Sequence, residues 1–241
     1  MAVPAARLAV IGGSATQGGA FPGDLHLEVA PVDDDLVFET PFGESPPFQL
    51  FALAGEPVLH VRMHGWRPGV PRGRASRQVF SVLHRAGVRR ILSEAGVGSL
   101  NRLLDPGDLV ICDDFVDLTT DRAGEGVVGG GLLVMREPVC PVGREALSRA
   151  ARRLAPDRVV GQSFSPEVWL ARDIGACYAG IYLIVNYGEG VVADWSHDEL
   201  KRRFTDDAGL MGRIVLDAVA SLPRDEAGCR CRELRKPTLL G

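Results

Sequence analysis

The chain of 241 residues is predicted to be a single α/β domain, a mixed central sheet flanked by helices, spanning residues 1–241. Three observations predict it. Apolar runs of strand length alternate with segments of helical periodicity. The first such run, Leu8-Ala9-Val10-Ile11, ends in Gly12-Gly13-Ser14, a buried strand opening into a glycine turn. Composition is ordinary for a globular protein, 46% hydrophobic and 24% charged, and the chain is long enough to bury one large core.

The elements follow in order. Leu25–Val29, Leu36–Thr40 and Phe48–Ala54 read as short strands joined by Pro/Gly turns, and Val58–Arg62 as another. That strand enters the loop His64-Gly65-Trp66-Arg67-Pro68-Gly69. Arg74–Ala86 is helical, with Val79, Phe80 and Leu83 on one side, and Gly87 stands where a left-handed cap residue is expected. Val88–Ser93 is a strand delivering the loop Glu94-Ala95-Gly96-Val97-Gly98-Ser99. Leu109–Cys112 is a strand after the turn Asp105-Pro106-Gly107-Asp108. The glycine-rich stretch 121–131 reads as a loop. Gly143–Leu154 is a helix, Ser165-Pro166-Glu167 opens the next, and Cys177–Val185 is a strongly apolar strand. Ser196-His197-Asp198-Glu199 is a capping box at the head of one last long helix.

The net charge of −4 offers no basic surface for nucleic acid, and no apolar run reaches the length of a membrane helix. With no signal peptide in view, the expected compartment is the cytoplasm. Of five cysteines, Cys112 and Cys177 lie in apolar runs and read as reduced buried thiols. Cys229-Arg230-Cys231 is the one distinctive spacing, which suits a redox-active or strained disulfide, whereas two thiols alone make a poor zinc site. His26, His60 and His84 have no partners at ligand spacing, so no metal is expected.

Three strand ends carry glycine-rich or polar loops: 12–16, 62–69 and 94–99. In an α/β sheet ligands gather at the carboxyl ends of strands. Backbone N–H groups from the first and third, with Arg62, His64 and Arg67 from the second, suit a phosphate ion. Three ordinary turns would leave the same trace in sequence.

The motifs, taken in order, resemble those of the trimeric purine nucleoside phosphorylase family, and most of all its methylthioadenosine phosphorylase branch. Ile11-Gly12-Gly13-Ser14 is similar to the family's phosphate loop, Thr40-Pro41-Phe42-Gly43 to its threonine-proline-aromatic-glycine element, and Met63-His64-Gly65 to its arginine-histidine-glycine motif. Glu94–Leu100 with Pro106-Gly107-Asp108, and Asp114-Phe115-Val116-Asp117-Leu118-Thr119, resemble further family segments. So do Pro166-Glu167-Val168 with Leu170-Ala171-Arg172, Asn186-Tyr187, and the cysteine-x-cysteine tail.

The resemblance implies a nucleoside-phosphorylase-type sandwich that forms a homotrimer. It implies phosphorolysis of a nucleoside, 5′-modified by a methylthio or amino group, to free base and a ribose 1-phosphate derivative. Inorganic phosphate would be the co-substrate, with no metal or organic cofactor. By the same resemblance Ser14, Arg62, His64, Gly96 and Ser163 would bind phosphate, and Gln162, Asn186 and Tyr187 would meet ribose and base. Asn186 and His64 would be the catalytic groups.

The pattern also departs from the family. Met63 replaces the motif arginine, with Arg62 adjacent as its substitute, and Pro68 stands where the family's second histidine borders the 5′ end. Glu94-Ala95 replace threonines, and a carboxylate there would repel phosphate unless turned away. Between Leu154 and Ser165 a segment carrying base-gripping residues is deleted. Two alternatives therefore stand beside phosphorolysis, a nucleoside hydrolase and a non-catalytic nucleoside-binding protein on the same fold, and a pyrimidine base beside a purine.

Overall fold

The computed structural model describes residues 2–13, 16, 21–25, 28–62, 69–117, 126–156, 159–160, 167–188, 190–192, 196–225 and 228–238. Among the described residues there are ten strands: β1 (Leu8–Gly12), β2 (Val29–Leu36), β3 (Phe48–Leu53), β4 (Glu56–Arg62), β5 (Arg90–Ser99), β6 (Leu109–Ile111), β7 (Gly131–Leu133), β8 (Val159–Val160), β9 (Cys177–Tyr187) and β10 (Arg235–Pro237). The helices are α1 (Arg72–Ala86), α2 (Pro141–Leu154), α3 (Glu167–Asp173), α4 (His197–Asp206) and α5 (Ala208–Ser221). Eight strands form one mixed sheet in the order β2-β3-β4-β1-β5-β9-β6-β8, and β7 pairs with β10 in a small second sheet. Neighbours β4, β1, β5 and β9 run parallel, whereas β2–β3, β3–β4 and β6–β9 are antiparallel.

Strand alternation divides the core between the two faces. Val10 and Leu92 pack with Ala146, Leu147, Ile214 and Val215 from α2 and α5. Ala9, Ile11 and Ile91 pack with Val79, Phe80 and Leu83 of α1 and Val168 and Leu170 of α3 on the other face. The central strands are covered on both sides, which is why they read as continuous apolar runs rather than alternating ones.

Local signals hold where they were strongest. Gly87 caps α1 with φ 77°, in the left-handed region, and its N–H reaches back to the carbonyls of His84 and Leu83. Ser196 Oγ accepts from the Glu199 N–H at 3.4 Å, as the capping box predicts.

Three expectations are corrected. Residues Gly23–Leu25 form a 3-10 turn, and β2 begins at Val29 and runs through Leu36, so the strands predicted at Leu25–Val29 and Leu36–Thr40 are displaced. Glu94–Ser99 is not a loop: β5 continues through it, held by β9 in parallel register as far as Ser99↔Tyr187. The last long helix is two, divided at Asp207, the residue that ends α4 and begins α5. No helix among the described residues is long and apolar enough to cross a membrane.

Candidate active site

The carboxyl ends of the four parallel strands lie side by side and bring together four groups picked out from sequence. Arg62 ends β4 directly opposite Gly12, the last residue of β1. Glu94 follows Ser93, the β5 residue that pairs with Ile11. Gly96 sits farther along β5 opposite Leu183, and Gly98 faces Asn186 on β9. Four adjacent strands span about 14 Å across the sheet, and Asn186 faces β5 four residues beyond Glu94, about 13 Å at the usual rise, so the row leaves room for an anion at one end and a base at the other. Ser14, His64, Gln162 and Ser163 lie outside the described residues, as do Arg67 and Pro68.

The centre of this row is built tightly. Gly12 leaves no room for a side chain, because a Cβ there would lie 2.2 Å from Thr16 Oγ1 and 2.6 Å from His60 Nε2. The glycine therefore allows the chain after β1 to fold back over its own strand end. What this turn grips is a protein carboxylate. Glu94, fully buried, accepts through Oε1 from the Gly13 N–H at 2.5 Å, the Thr16 N–H at 3.2 Å and the Thr16 hydroxyl at 3.0 Å. Two backbone donors and a hydroxyl converging on one oxygen make an anion site, and Glu94 occupies it. From sequence a carboxylate here would repel phosphate unless turned away; it turns into the loop. The signal available was the charge itself, since a Glu inside a run of strand residues is seldom fully buried without such partners.

His60 lies under the same turn, 1% exposed. Gln49 Nε2 donates to Asp34 at 3.0 Å, which leaves Gln49 Oε1 to accept from His60 Nδ1 at 2.7 Å. Burial, with a smaller effect from the Arg62 charge, lowers the His60 pKa to about 3, so the ring is neutral. Phe21 packs against it with ring centroids 4.5 Å apart. From sequence His60 was assigned only the absence of metal partners; its role in supporting the turn needed the contacts of β3 and β4.

At the other end of the row, Asn186 is half-buried in the last turn of β9. Tyr187 follows, and its hydroxyl donates to Asp105 Oδ1 at 2.5 Å, across to the Asp105-Pro106-Gly107-Asp108 turn. That bond holds the tyrosine pKa above its ordinary value. Asp113, Asp114 and Asp117 do not gather into a ligand set among the described residues.

The cysteines also depart from expectation. Cys229 and Cys231 do not stand as two thiols alone: Cys140 and Cys177 meet them, and the four sulfurs lie within 4.8 Å of one another.

Fold and site together define an α/β protein with an anion-gripping turn at the carboxyl ends of its parallel strands. A model of the phosphorylase superfamily matches residues 7–165. The chain belongs to that superfamily, in the group of purine nucleoside and methylthioadenosine phosphorylases. It is 29% identical to a probable 6-oxopurine nucleoside phosphorylase of Thermococcus kodakarensis, covering 95% of this chain and 97% of the relative. With an S-methyl-5′-thioadenosine phosphorylase of Thermofilum pendens it shares 27% identity over 93% of this chain and 95% of that one. The alignment with the Thermococcus relative extends over 270 positions, more than this chain possesses, so that relative has segments without counterpart here.

The fold is likewise that of a methylthioadenosine phosphorylase from an antarctic soil metagenomic library, with TM-score 0.72, 23% identity, and coverage of 96% of this chain and 91% of the other. A methylthioadenosine phosphorylase from Schistosoma mansoni in complex with adenine matches at the same TM-score, 0.72, with 22% identity over 89% and 91% of the two chains.

Proposed function

We propose that this protein cleaves the N-glycosidic bond of a 5′-modified nucleoside by phosphorolysis, releasing the free base and a ribose 1-phosphate derivative. The observation that carries the reading is the convergence of the Gly12–Gly13 turn, Arg62, Gly96 and Asn186 on adjacent strand ends of a phosphorylase-superfamily chain. A phosphate oxygen attacks C1′ while the bond to the base nitrogen breaks, and its electron pair leaves with the base. The transition state is a sugar cation between two anions, so the protein must hold phosphate beneath the sugar and meet negative charge growing on the base. Ser14, Arg62, His64, Gly96 and Ser163 hold the phosphate, with His64 aligning it for attack. Gln162 meets the ribose, and Asn186 hydrogen-bonds the departing base. The Tyr187 hydroxyl is occupied by Asp105, which leaves its ring as the group to face the base.

Inorganic phosphate is the only co-substrate, and neither a metal nor an organic cofactor takes part in the reaction. The protein works in the cytoplasm as a homotrimer. Leu100 and Leu103, just past the end of β5, are 78% and 88% exposed, and covering such apolar side chains by a second copy supports that assembly.

One observation favours a second reading, in which water replaces phosphate. Glu94 already fills the turn that would receive a phosphate oxygen. A panel of adenosine, inosine, uridine, methylthioadenosine and 5′-amino-5′-deoxynucleosides, assayed for free base with and without phosphate, separates the two. Release that requires phosphate supports phosphorolysis and names the base. Release at the same rate without it makes the protein a hydrolase, and no release from folded protein leaves nucleoside binding alone.

A further inference from the structure

Four cysteines from three distant parts of the chain meet at the end of the sheet opposite the strand-end site. Cys140 is the residue before α2, Cys177 the first of β9, and Cys229 and Cys231 belong to the tail that follows α5. All four sulfurs lie within 4.8 Å of one another, and those of Cys177 and Cys229 are 3.4 Å apart. Sulfurs around a tetrahedral zinc, bonded at about 2.3 Å, stand roughly 3.8 Å apart, whereas a disulfide needs about 2.05 Å. All five cysteines of the chain are free thiols, Cys112 being the one outside the cluster.

We propose that Cys140, Cys177, Cys229 and Cys231 form a structural tetrathiolate site for a zinc ion.

Each ligand is fixed by backbone. The Cys140 N–H donates to Tyr178 O and the Cys177 N–H to Arg89 O, both at 2.8 Å, so these two sulfurs are held to the start of β9. The tail is brought in by Gly228, at φ 89°, where a Cβ would lie 2.9 Å from Val142 Cγ2 of α2. Only glycine allows the chain to pass that close and deliver Cys229 and Cys231 onto the helix start. Cys140 and Cys231 are buried, Cys177 and Cys229 half-buried.

The surroundings suit the charge. Binding Zn²⁺ releases four thiol protons to solvent and leaves a centre of net charge −2. Arg172, 2% exposed, lies in electrostatic reach of all four sulfurs, and Arg89, Arg90, Arg230 and Arg232 line the adjoining cavity with Cys177 and Cys229. The opening of α2 adds the positive end of a helix at Cys140. Soft thiolates in a tetrahedral set select zinc over the harder divalent ions, and four protein ligands leave no open position for a substrate or water. The site is also far from the chemistry: β9 runs from Cys177 to Tyr187, about 33 Å at the usual rise per residue. Its work is to pin the C-terminal tail to the sheet, as a metal clip closing a long loop does.

The experiment is metal analysis of the full chain purified without chelator, by plasma mass spectrometry, with intact-protein mass under native and denaturing conditions. About one zinc per chain is expected, retained through gel filtration, together with fully reduced cysteines once denatured. Cobalt substitution is expected to give the intense visible bands and sulfur-to-metal charge transfer of tetrahedral thiolate coordination. The Cys229→Ser/Cys231→Ser variant should lose the metal and unfold at lower temperature, while Cys112→Ser keeps both. Metal-free protein that takes up neither zinc nor cobalt overturns the site. So does a mass lower by two or four hydrogens, which assigns disulfides instead.

Discussion

Replacing Glu94 with Gln tests whether the anion turn at the end of β1 belongs to the protein or to the substrate. The wild-type carboxylate oxygen accepts two backbone N–H groups and one hydroxyl, all buried. Hydrogen bonds to a charged acceptor contribute about 1.5–3 kcal/mol and neutral ones about 0.5–1.5. Gln keeps an acceptor oxygen in place and removes the charge, so Glu94→Gln should lose about 2–3 kcal/mol. A protein of this size loses about 2–4 °C of Tm per kcal/mol, which gives roughly 4–12 °C. Phosphate binding should move the other way. Two unit charges 5 Å apart at an effective dielectric of 20 repel by about 3 kcal/mol. Even half of that relief lowers the KM for phosphate about tenfold. The assay is base release at varied phosphate, alongside a thermal melt of each protein. Glu94→Ala sets the other bound, since it leaves three buried donors without their acceptor at about 1–3 kcal/mol each, and it should be the less stable variant. A Gln variant with unchanged KM for phosphate would refute the reasoning: Glu94 would then lie outside the electrostatic field of the nucleophile. A Gln variant that hydrolyses no nucleoside, from a wild type that does so without phosphate, would instead assign Glu94 to activating water.

Other substitutions read neighbouring parts of the row. Gly12→Ala drives a methyl into Thr16 and His60, and should cost about 1–3 kcal/mol in urea unfolding while lowering kcat/KM at least tenfold. Asn186→Ala should lower kcat/KM for the nucleoside about 10–100-fold, the loss of one hydrogen bond to a developing anion, with the KM for phosphate unmoved; steady-state kinetics in both substrates checks it. His60 stays neutral in the folded protein down to about pH 3 but takes up a proton near pH 6.5 when unfolded. Between those values the unfolded state binds more protons, so the His60 contribution is present above pH 6.5 and falls by up to about 1.4 kcal/mol per pH unit below it. Urea unfolding at pH 7 and pH 5 should therefore differ by about 2 kcal/mol more in wild type than in His60→Gln.

Much of the fold was legible because its signals are local. The run Leu8–Ile11 is apolar at every position, as a strand covered on both faces must be, and Gly87 and Ser196 mark helix ends by hydrogen bonds that reach only three or four residues. The order of motifs pointed to the phosphorylase superfamily for a similar reason, since short glycine-rich strand ends carry their chemistry in neighbouring residues. Sequence spacing failed wherever a distant partner decided the outcome. Glu94–Ser99 reads as a loop from its glycines, yet β9 supplies a parallel partner along its whole length, and those hydrogen bonds outweigh glycine's low strand propensity. Sequence left the direction of the Glu94 carboxylate open, and at 81 residues' separation it is the acceptor that the Gly13 N–H finds. Cys140 and Cys177 show no spacing that links them to Cys229 and Cys231, and only the packing of α2 and the tail against the start of β9 brings the four sulfurs together. Sequence by itself determined the central apolar strands such as Leu8–Ile11, the caps at Gly87 and Ser196 and the chemical class, because propensity and hydrogen bonding act over a few residues. The tertiary structure decided which anion fills the turn and which thiols meet, because burial forces polar groups to take partners wherever the fold happens to place them.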